Sequence, residues 1–351
     1  MKSRRVTMQD VADRANVSKT AVSFAFNDTS RLSEATLRHI MAVAEELGYS
    51  QDPAARMLRT RKTNSLGLLL PQQLDVALTN PYYTEFMQGI GQTCHREGFT
   101  LLLAPPLRGS MLKAIPYAAV DGFIVSGLEY DRGEVSALRQ RGVPFVLVDS
   151  EHHPGVSSVD IDDGAAMDTL VEHLLDLGHR RFAFVVIETG IGADRRDWRG
   201  PVRRRIDGVS AALERHGRSL DDPDVQVIEV ACTRSAGERA FASLWQPEGT
   251  RPTAIVCFSD IIALGVLAGA RRLGVQVPDE VSVTGFDDLQ LAQLSRPSLT
   301  TIRQPIETKG RLAAEYLVES LAAGADRTAP HQQLLHTALL LRESTGRAPS
   351  S

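Results

Sequence analysis

The chain has 351 residues, with 39 Lys and Arg against 43 Asp and Glu and a formal net charge of −4. That length predicts two or three domains at roughly 100–200 residues each, and a composition 43% hydrophobic and 23% charged excludes a globally disordered chain. Cys94, Cys232 and Cys257 are scattered, the N-terminal stretch MKSRRVTMQDVADRA has no apolar run, and no segment reaches about 18 uninterrupted apolar residues. A disulfide framework, a metal site, a signal peptide and a membrane span are therefore not expected, and a reducing cytoplasm is.

The charge is uneven along the chain. Residues 1–62 hold 11 Lys and Arg against 7 Asp and Glu, about +4, which leaves about −8 for the rest. A basic N-terminal module on an acidic body is the pattern expected when only one end meets phosphates. Within that module the spacing predicts a helix over 7–15, opened by Thr7 and lined by Met8, Val11, Ala12 and Ala15. Asn16-Val17-Ser18 interrupts it. Ser18 then caps a second helix, Lys19 to Phe26, with Ala21, Val22 and Ala25 inward. After a polar loop, Ser33 begins a third helix lined by Leu37, Ile40, Met41, Ala44 and Leu47, which Gly48 ends. Two helices joined by a three-residue turn and braced by a third form a helix-turn-helix, or else a plain three-helix bundle. In the first reading Lys19, Thr20, Ser23 and Phe24 face base edges: a lysine reaches guanine acceptors, and a threonine methyl meets a thymine methyl.

The stretches TMQDVADRANVSKTAVSFAFND, SEATLRHIMAVAEELGY and PAARMLRT resemble the LacI/GalR family of repressors in order and spacing. The resemblance implies a DNA-binding headpiece over 1–51, with Thr7, Ser18, Lys19, Thr20, Ser23, Phe24 and Asn27 at the duplex. One departure stands out: many members carry Arg at the position of Phe24, where it reads a guanine, and Phe cannot donate that hydrogen bond.

Residues 52–63 then form a hinge and linker. Asp52 and Pro53 open a helix of about eight residues, too short to be stable alone. It is therefore expected to order only when paired with its mate from a second subunit on DNA. By resemblance, Leu58 is the apolar wedge in the minor groove, and Ala55 lets the backbone approach. Arg56, with Arg59, Arg61 and Lys62 beside it, favours a DNA role over a plain linker.

From residue 64 onward, continuous apolar strands alternate with helices. Strands are predicted at Leu66–Leu70, Thr100–Ala104, Gly122–Ser126, Phe145–Val148, Phe182–Ile187, Val225–Val230, Ala254–Cys257 and Ser282–Phe286. The intervening helices run from Tyr82 to Glu97, from Asp162 to Leu177, and over Arg205–His216, Ala236–Leu244 and Ile261–Leu273. Strands apolar on both faces mean parallel sheets covered by helices, arranged as two Rossmann-like lobes. The stretches SLGLLLP, NPYYTEFMQGI, VEHLLDLGHRRFAFV, PTAIVCFSD and VSVTGFDD resemble the periplasmic-binding-protein-like effector domain of the same family. That resemblance implies a first lobe of about 64–161 with 292–325, a second of about 162–291 with 326–345, and an effector cleft between them at the strand ends.

Effector residues follow position by position from the resemblance. Arg205, in R-x-D-G, gives a forked grip on a hydroxyl or carboxylate, and Asp287, in F-D-D, accepts hydroxyl hydrogens. Ser259 stands where Asn is common. Asp149 and Ser126 end strands at the same rim, Tyr82 and Tyr83 open a helix, and Gln304 comes from a crossover. Asp260 and Asp288 are expected to be structural. Cys232 stands where several sugar-responsive members carry an aromatic residue, which weakens a flat stacking site for a pyranose. The loop from Gln72 to Asn80 is also longer than usual.

No nucleophile, base and orienting group recur at a catalytic spacing. Neither Gly89–Gly91 nor Gly190–Gly192 has the dinucleotide fingerprint, Asp160, Asp162 and Asp163 lack the turn glycine of a calcium loop, and His152-His153 suits an exposed loop pair. No enzyme activity and no cofactor or metal are expected. The expected partners are pseudo-palindromic double-stranded operator DNA, a small molecule (a sugar or related metabolite, alternatively a nucleobase or nucleoside) and a second copy of the chain. The C-terminal stretch has no leucine heptad, so a homodimer is expected. Repression fits best, with activation as the alternative.

Overall fold

The computed structural model describes residues 6–50, 57, 60, 62–129, 131–189, 195–246, 250–323 and 329–349. They fall into two compact units, Met1–Thr63 and Asn64–Ser351.

In the first unit α1 (Met8–Ala15), α2 (Lys19–Asn27) and α3 (Glu34–Glu46) follow one another, with a short 3-10 turn at Thr29–Arg31. Each helix starts at a side-chain cap. The Thr7 hydroxyl accepts from the Asp10 amide while the Asp10 carboxylate accepts from the Thr7 amide; Ser18 and Ser33 accept from the amides of Ala21 and Thr36. Asn16 ends α1 in the left-handed conformation, φ 52°, which aims the chain into α2. Val11, Ala12, Ala15, Val22, Ala25, Ile40, Val43 and Ala44 form the core, and Phe26 packs edge-on against Tyr49. The small residues let α1 and α2 cross closely, which leaves the start of α2 outside.

The second unit holds two six-stranded sheets. The first contains β1 (Ser65–Leu69), β2 (Thr100–Ala104), β3 (Gly122–Ser126), β4 (Phe145–Val148) and β5 (Ser158–Ile161). Around it lie α4 (Leu74–Ala77), α5 (Pro81–Glu97), α6 (Met111–Ala114) and α7 (Gly133–Gln140). The chain then passes through α8 (Asp163–Asp176) into the second sheet: β6 (Phe182–Ile187), β7 (Val225–Val230), β8 (Ala254–Cys257) and β9 (Ser282–Asp287). That sheet is covered by α8, α9 (Gly200–Arg215), α10 (Arg234–Leu244) and α11 (Asp260–Arg272), with α12 (Gln290–Leu294) following β9. Pairing is parallel in both sheets, with one antiparallel exception at the edge of the second. Central strands such as β3 and β8 are buried at every residue, as sheets covered on both faces require.

The chain makes the expected three crossings between the lobes, but the second and third come later than expected. β10 (Thr300–Arg303), placed by the sequence in the first lobe, pairs with β9 and completes the second sheet. Its Ile302 and the preceding Leu299 bury in the second lobe's cores, which fixes the strand there. The crossing follows Arg303, and α13 (Ile306–Ala323) returns to pack on α5. That packing is backbone-close: a Cβ on Gly310 would lie 2.1 Å from the Phe86 carbonyl oxygen, and one on Gly89 1.9 Å from that of Glu307. The tail was expected wholly in the second lobe. Instead β11 (Gln332–Leu335) pairs with β5 in the first sheet, and only β12 (Ala338–Leu340), antiparallel to β10, lies in the second.

Candidate effector cleft and DNA-reading face

On the first unit, Ser18, Lys19, Thr20 and Asn27 are exposed, and Ser23 and Phe24 half-buried. The capping bonds occupy Thr7 and Ser18, and the Asn27 amide donates to the Ser23 carbonyl at 2.5 Å. A residue that the sequence reading missed lies on this face: the Arg31 guanidinium stacks 5.0 Å from the centre of the Phe24 ring and is held by Asp28 at 2.7 Å. The ring that replaces a hydrogen-bonding arginine therefore carries a guanidinium on its surface. Ala55, Arg56 and Leu58 lie outside the described residues.

In the second unit the predicted effector residues converge from both lobes. Tyr82, in the first turn of α5, donates to Asp149 at 2.9 Å. The Lys309 ammonium, on α13, donates to Asp149 and to the Gln304 carbonyl. The Gln304 amide donates to Asp287 at 2.5 Å, and the Ser259 hydroxyl donates to the other oxygen of Asp287 at 2.9 Å. One chain of hydrogen bonds thus runs from Tyr82 and Asp149 in the first lobe, through the crossover residue Gln304, to Asp287 and Ser259 in the second. Ser259 stands at the N-cap position of α11, but its hydroxyl serves Asp287 and leaves the cap unmade.

Arg205 is buried on α9. It donates to Asp163 at 2.8 Å and to the Phe258 carbonyl at 2.6 Å, and lies 3.6 Å from the Phe286 ring centre. Its neighbour Arg204 spans the lobes, bonding Glu129 at 2.7 Å and the Asp149 carbonyl at 2.8 Å while pairing with Asp163 at 3.2 Å. Asn80, which caps α5 by accepting from the Tyr82 amide, makes a second cross-lobe contact, 3.6 Å to the Cys232 sulfur. Lys309, Arg204, Glu129, Asp163 and Asn80 were all missed. Each reads in sequence as a solvated charge or a loop residue, and only the fold brings them together.

Two predicted residues stand apart. Ser126 is buried at the end of β3, yet among the described residues no hydrogen bond joins its hydroxyl to this network. Tyr83 packs in the first lobe's core, edge-on to Tyr82 at 5.5 Å; burial and the nearby Cys232, Asp149 and Asp287 push its hydroxyl upward, yet among the described residues no hydrogen bond joins it to the network. Asp260 and Asp288 serve the fold: Asp260 accepts from the Leu289 amide and Thr301, and Asp288 pairs with Arg303 and Arg342. An open cavity of about 490 Å³, with Arg204 in its wall, is lined by Ser150, Glu151, Asp160, Asp162 and Gln332 among others, and none of the predicted effector residues reaches it.

Backbone strain and buried charge meet at Asp149 and Asp287. Asp149 and Asp287 sit at strand ends with φ of 56° and 133°, where non-glycine residues cost on the order of 1–3 kcal/mol. Burial pushes Asp149 upward, but the Lys309 charge and the hydrogen bonds of Lys309 and Tyr82 outweigh it and hold the acid below its usual range. Among the described residues no cation hydrogen-bonds Asp287. Burial raises it to about 6, against the opposing pull of Arg205, Ser259 and Gln304. The ionised carboxylate accepts hydroxyl hydrogens more strongly than the protonated form, so effector affinity is expected to be full above that value and to fall as pH drops through about 6. Asp287→Asn should weaken binding and flatten the profile. Calorimetry between pH 5 and 8 checks this, and an unchanged profile in the variant contradicts it.

A family profile for the bacterial regulatory proteins of the lacI family matches residues 7–52, and a periplasmic binding protein-like domain matches residues 171–345. A HTH-type transcriptional regulator of Mycobacterium tuberculosis is 35% identical over 98% of both chains. The chain belongs to the lacI family. The HTH-type transcriptional repressor PurR of Escherichia coli is 30% identical, again over 98% of each chain. Among solved structures, a CelR–cellobiose complex superposes with a TM-score of 0.69 at 28% identity, covering 97% of this chain and all of the other. The lacI-family chain is accordingly a DNA-binding transcriptional regulator built from a helix-turn-helix unit and a periplasmic-binding-like unit. Among its described residues no helix is long and apolar enough to cross a membrane.

Phe24 sets a test for the first unit. Phe24→Arg restores a guanidinium to the helix face, and duplexes selected from a random pool by the variant should gain a guanine that those of the parent lack. A good bidentate pair discriminates by about 1–3 kcal/mol, so identical selected sequences would contradict a base-reading role for position 24.

Proposed function

We propose that the chain is a cytoplasmic homodimeric repressor whose grip on a self-symmetric operator is set by a polyhydroxylated small molecule bound between the lobes of its second unit. The hydrogen-bond chain from Tyr82 and Asp149 through Gln304 to Asp287 carries this reading. It draws groups from both lobes into one buried site, so a ligand inserted there has different contacts in each lobe arrangement. Only such a difference lets a ligand shift a conformational equilibrium. Asp287 and the Ser259 oxygen offer acceptors to ligand hydroxyls, and Arg205 has N–H donors beyond those taken by Asp163 and the Phe258 carbonyl. The cellobiose bound to the CelR structure supports a carbohydrate, while Cys232, buried where a stacking ring is absent, favours hydrogen bonding over ring stacking.

A helix-turn-helix unit reads one half-site, and a second copy supplies the other. Exposed Leu112 and Tyr117, the latter 80% exposed, supply apolar surface for that second copy to cover. Hinge segments around Ala55, Arg56 and Leu58 from the two copies pair on the duplex, with Leu58 as the minor-groove wedge. The reading assigns the chain no catalytic step. A mobility-shift titration of the full chain on a selected operator tests it: one metabolite should change the midpoint, and two chains should bind per duplex. A single chain per duplex overturns the proposal.

A further inference from the structure

The effector cleft has a charge balance that turns on one residue outside the predicted set. Lys309 is fully buried near the start of α13, and its ammonium bonds Asp149 and Gln304. Arg205 is paired with Asp163, and Arg204 with Asp163 and Glu129. These three cations are therefore each already matched to a carboxylate. Asp287 is the reverse case, since its two oxygens accept from neutral groups, Ser259 and Gln304. An anionic effector entering this site would find each of these cations already bonded to a carboxylate and would meet Asp287, a carboxylate that no cation bonds and that only the nearby charge of Arg205 opposes. A buried charge without a partner is strongly unfavourable, so phosphate and carboxylate groups are rejected.

Lys309 does more than cancel Asp149. An ammonium has three donors, and Asp149 and Gln304 take two. By binding the Gln304 carbonyl it also fixes that amide with its N–H₂ toward Asp287. We propose that Lys309 is a specificity-determining residue of the cleft: it neutralises Asp149, orients Gln304 and offers its third N–H to an effector oxygen, thereby selecting an uncharged hydroxylated ligand over an anionic one. This rests on the reading of the cleft as an effector site.

The test is a thermal-shift and calorimetric panel on the full chain. The probes are cellobiose and other neutral sugars and polyols, their phosphorylated and carboxylated counterparts such as glucose 6-phosphate and gluconate, and glucosamine as a cationic one. The parent chain should bind a neutral compound and none of the anionic ones. Lys309→Met leaves Asp149 unmatched; it should weaken the neutral ligand by on the order of tenfold or more while a cationic analogue loses far less. The double variant Lys309→Met with Asp149→Asn removes both charges and keeps the site neutral. It serves if the single variant does not fold: with the Gln304 anchor and the third N–H lost, it should bind the neutral ligand more weakly than the parent chain, and parent-like binding would likewise reduce Lys309 to a structural part. An anionic compound binding the parent chain tightly overturns the inference and leaves the cleft standing. Equal losses for neutral and cationic ligands in Lys309→Met would reduce Lys309 to a structural part. Binding of nothing at all removes the cleft reading and this inference with it.

Discussion

Arg205→Met should abolish the effector response and cost about 3–5 kcal/mol of folding stability, because it removes one partner from a buried charge network. Asp163 is 1% exposed and would keep only Arg204, at 3.2 Å, while the Phe258 carbonyl would lose its donor and the Phe286 ring its stacked guanidinium. The remaining pairing with Arg204 places the cost toward the lower end of that range. Arg205→Lys keeps a charge but loses the planar fork, so it should recover part of the stability and little of the response. Urea unfolding, with effector titration beside it, separates the two effects. Parent-like stability in the Met variant would mean that the buried pair with Asp163 does not form.

The second large effect belongs to the other unit. Lys19 and Thr20 are exposed in the first turn of α2, so replacing both with Ala should leave thermal stability almost unchanged. Operator affinity should nevertheless fall, by about 1–3 kcal/mol for each base edge no longer read, while binding to unrelated duplex should fall far less, since that rests on phosphate neutralisation. Fluorescence anisotropy with selected and scrambled duplexes measures both. A uniform loss on the two duplexes would assign these side chains to the backbone and take the reading of bases away from α2.

The sequence made some elements plain and hid others for identifiable reasons. Strands such as Gly122–Ser126 and Ala254–Cys257 are continuous apolar runs, which parallel sheets covered on both faces require, and they lie where the pattern puts them. The capping residues Thr7, Ser18 and Ser33 likewise mark real helix starts. Short polar strands carry no such signal: Gln332–Leu335 alternates exposed and half-buried residues at a sheet edge, and only pairing with β5 makes it a strand. The crossover was misplaced because Thr300–Arg303 shows its allegiance only in the fold, through its register with β9 and the burial of Ile302 and the preceding Leu299.

The cleft was legible where a strand end announces it, at Asp149 and Asp287, and opaque where a helix supplies the partner. Lys309 lies in I-E-T-K-G-R, a polar stretch that reads as a solvated helix start, and Arg204 lies in a run of three arginines. Both become interior groups only because the fold brings their side chains against first-lobe residues distant in sequence, Asp149 for Lys309 and Glu129 for Arg204.

The central claim is that the DNA-reading unit and the cleft share one conformational equilibrium, and reciprocity tests it most directly. Whatever factor a ligand imposes on operator affinity, the operator must impose on ligand affinity. Calorimetric titration of the ligand into the free full-length chain and into the chain saturated with operator is the measurement. The account predicts two ligand affinities that differ by the same factor as the operator affinities measured with and without ligand. Equal ligand affinities in the two titrations would contradict it.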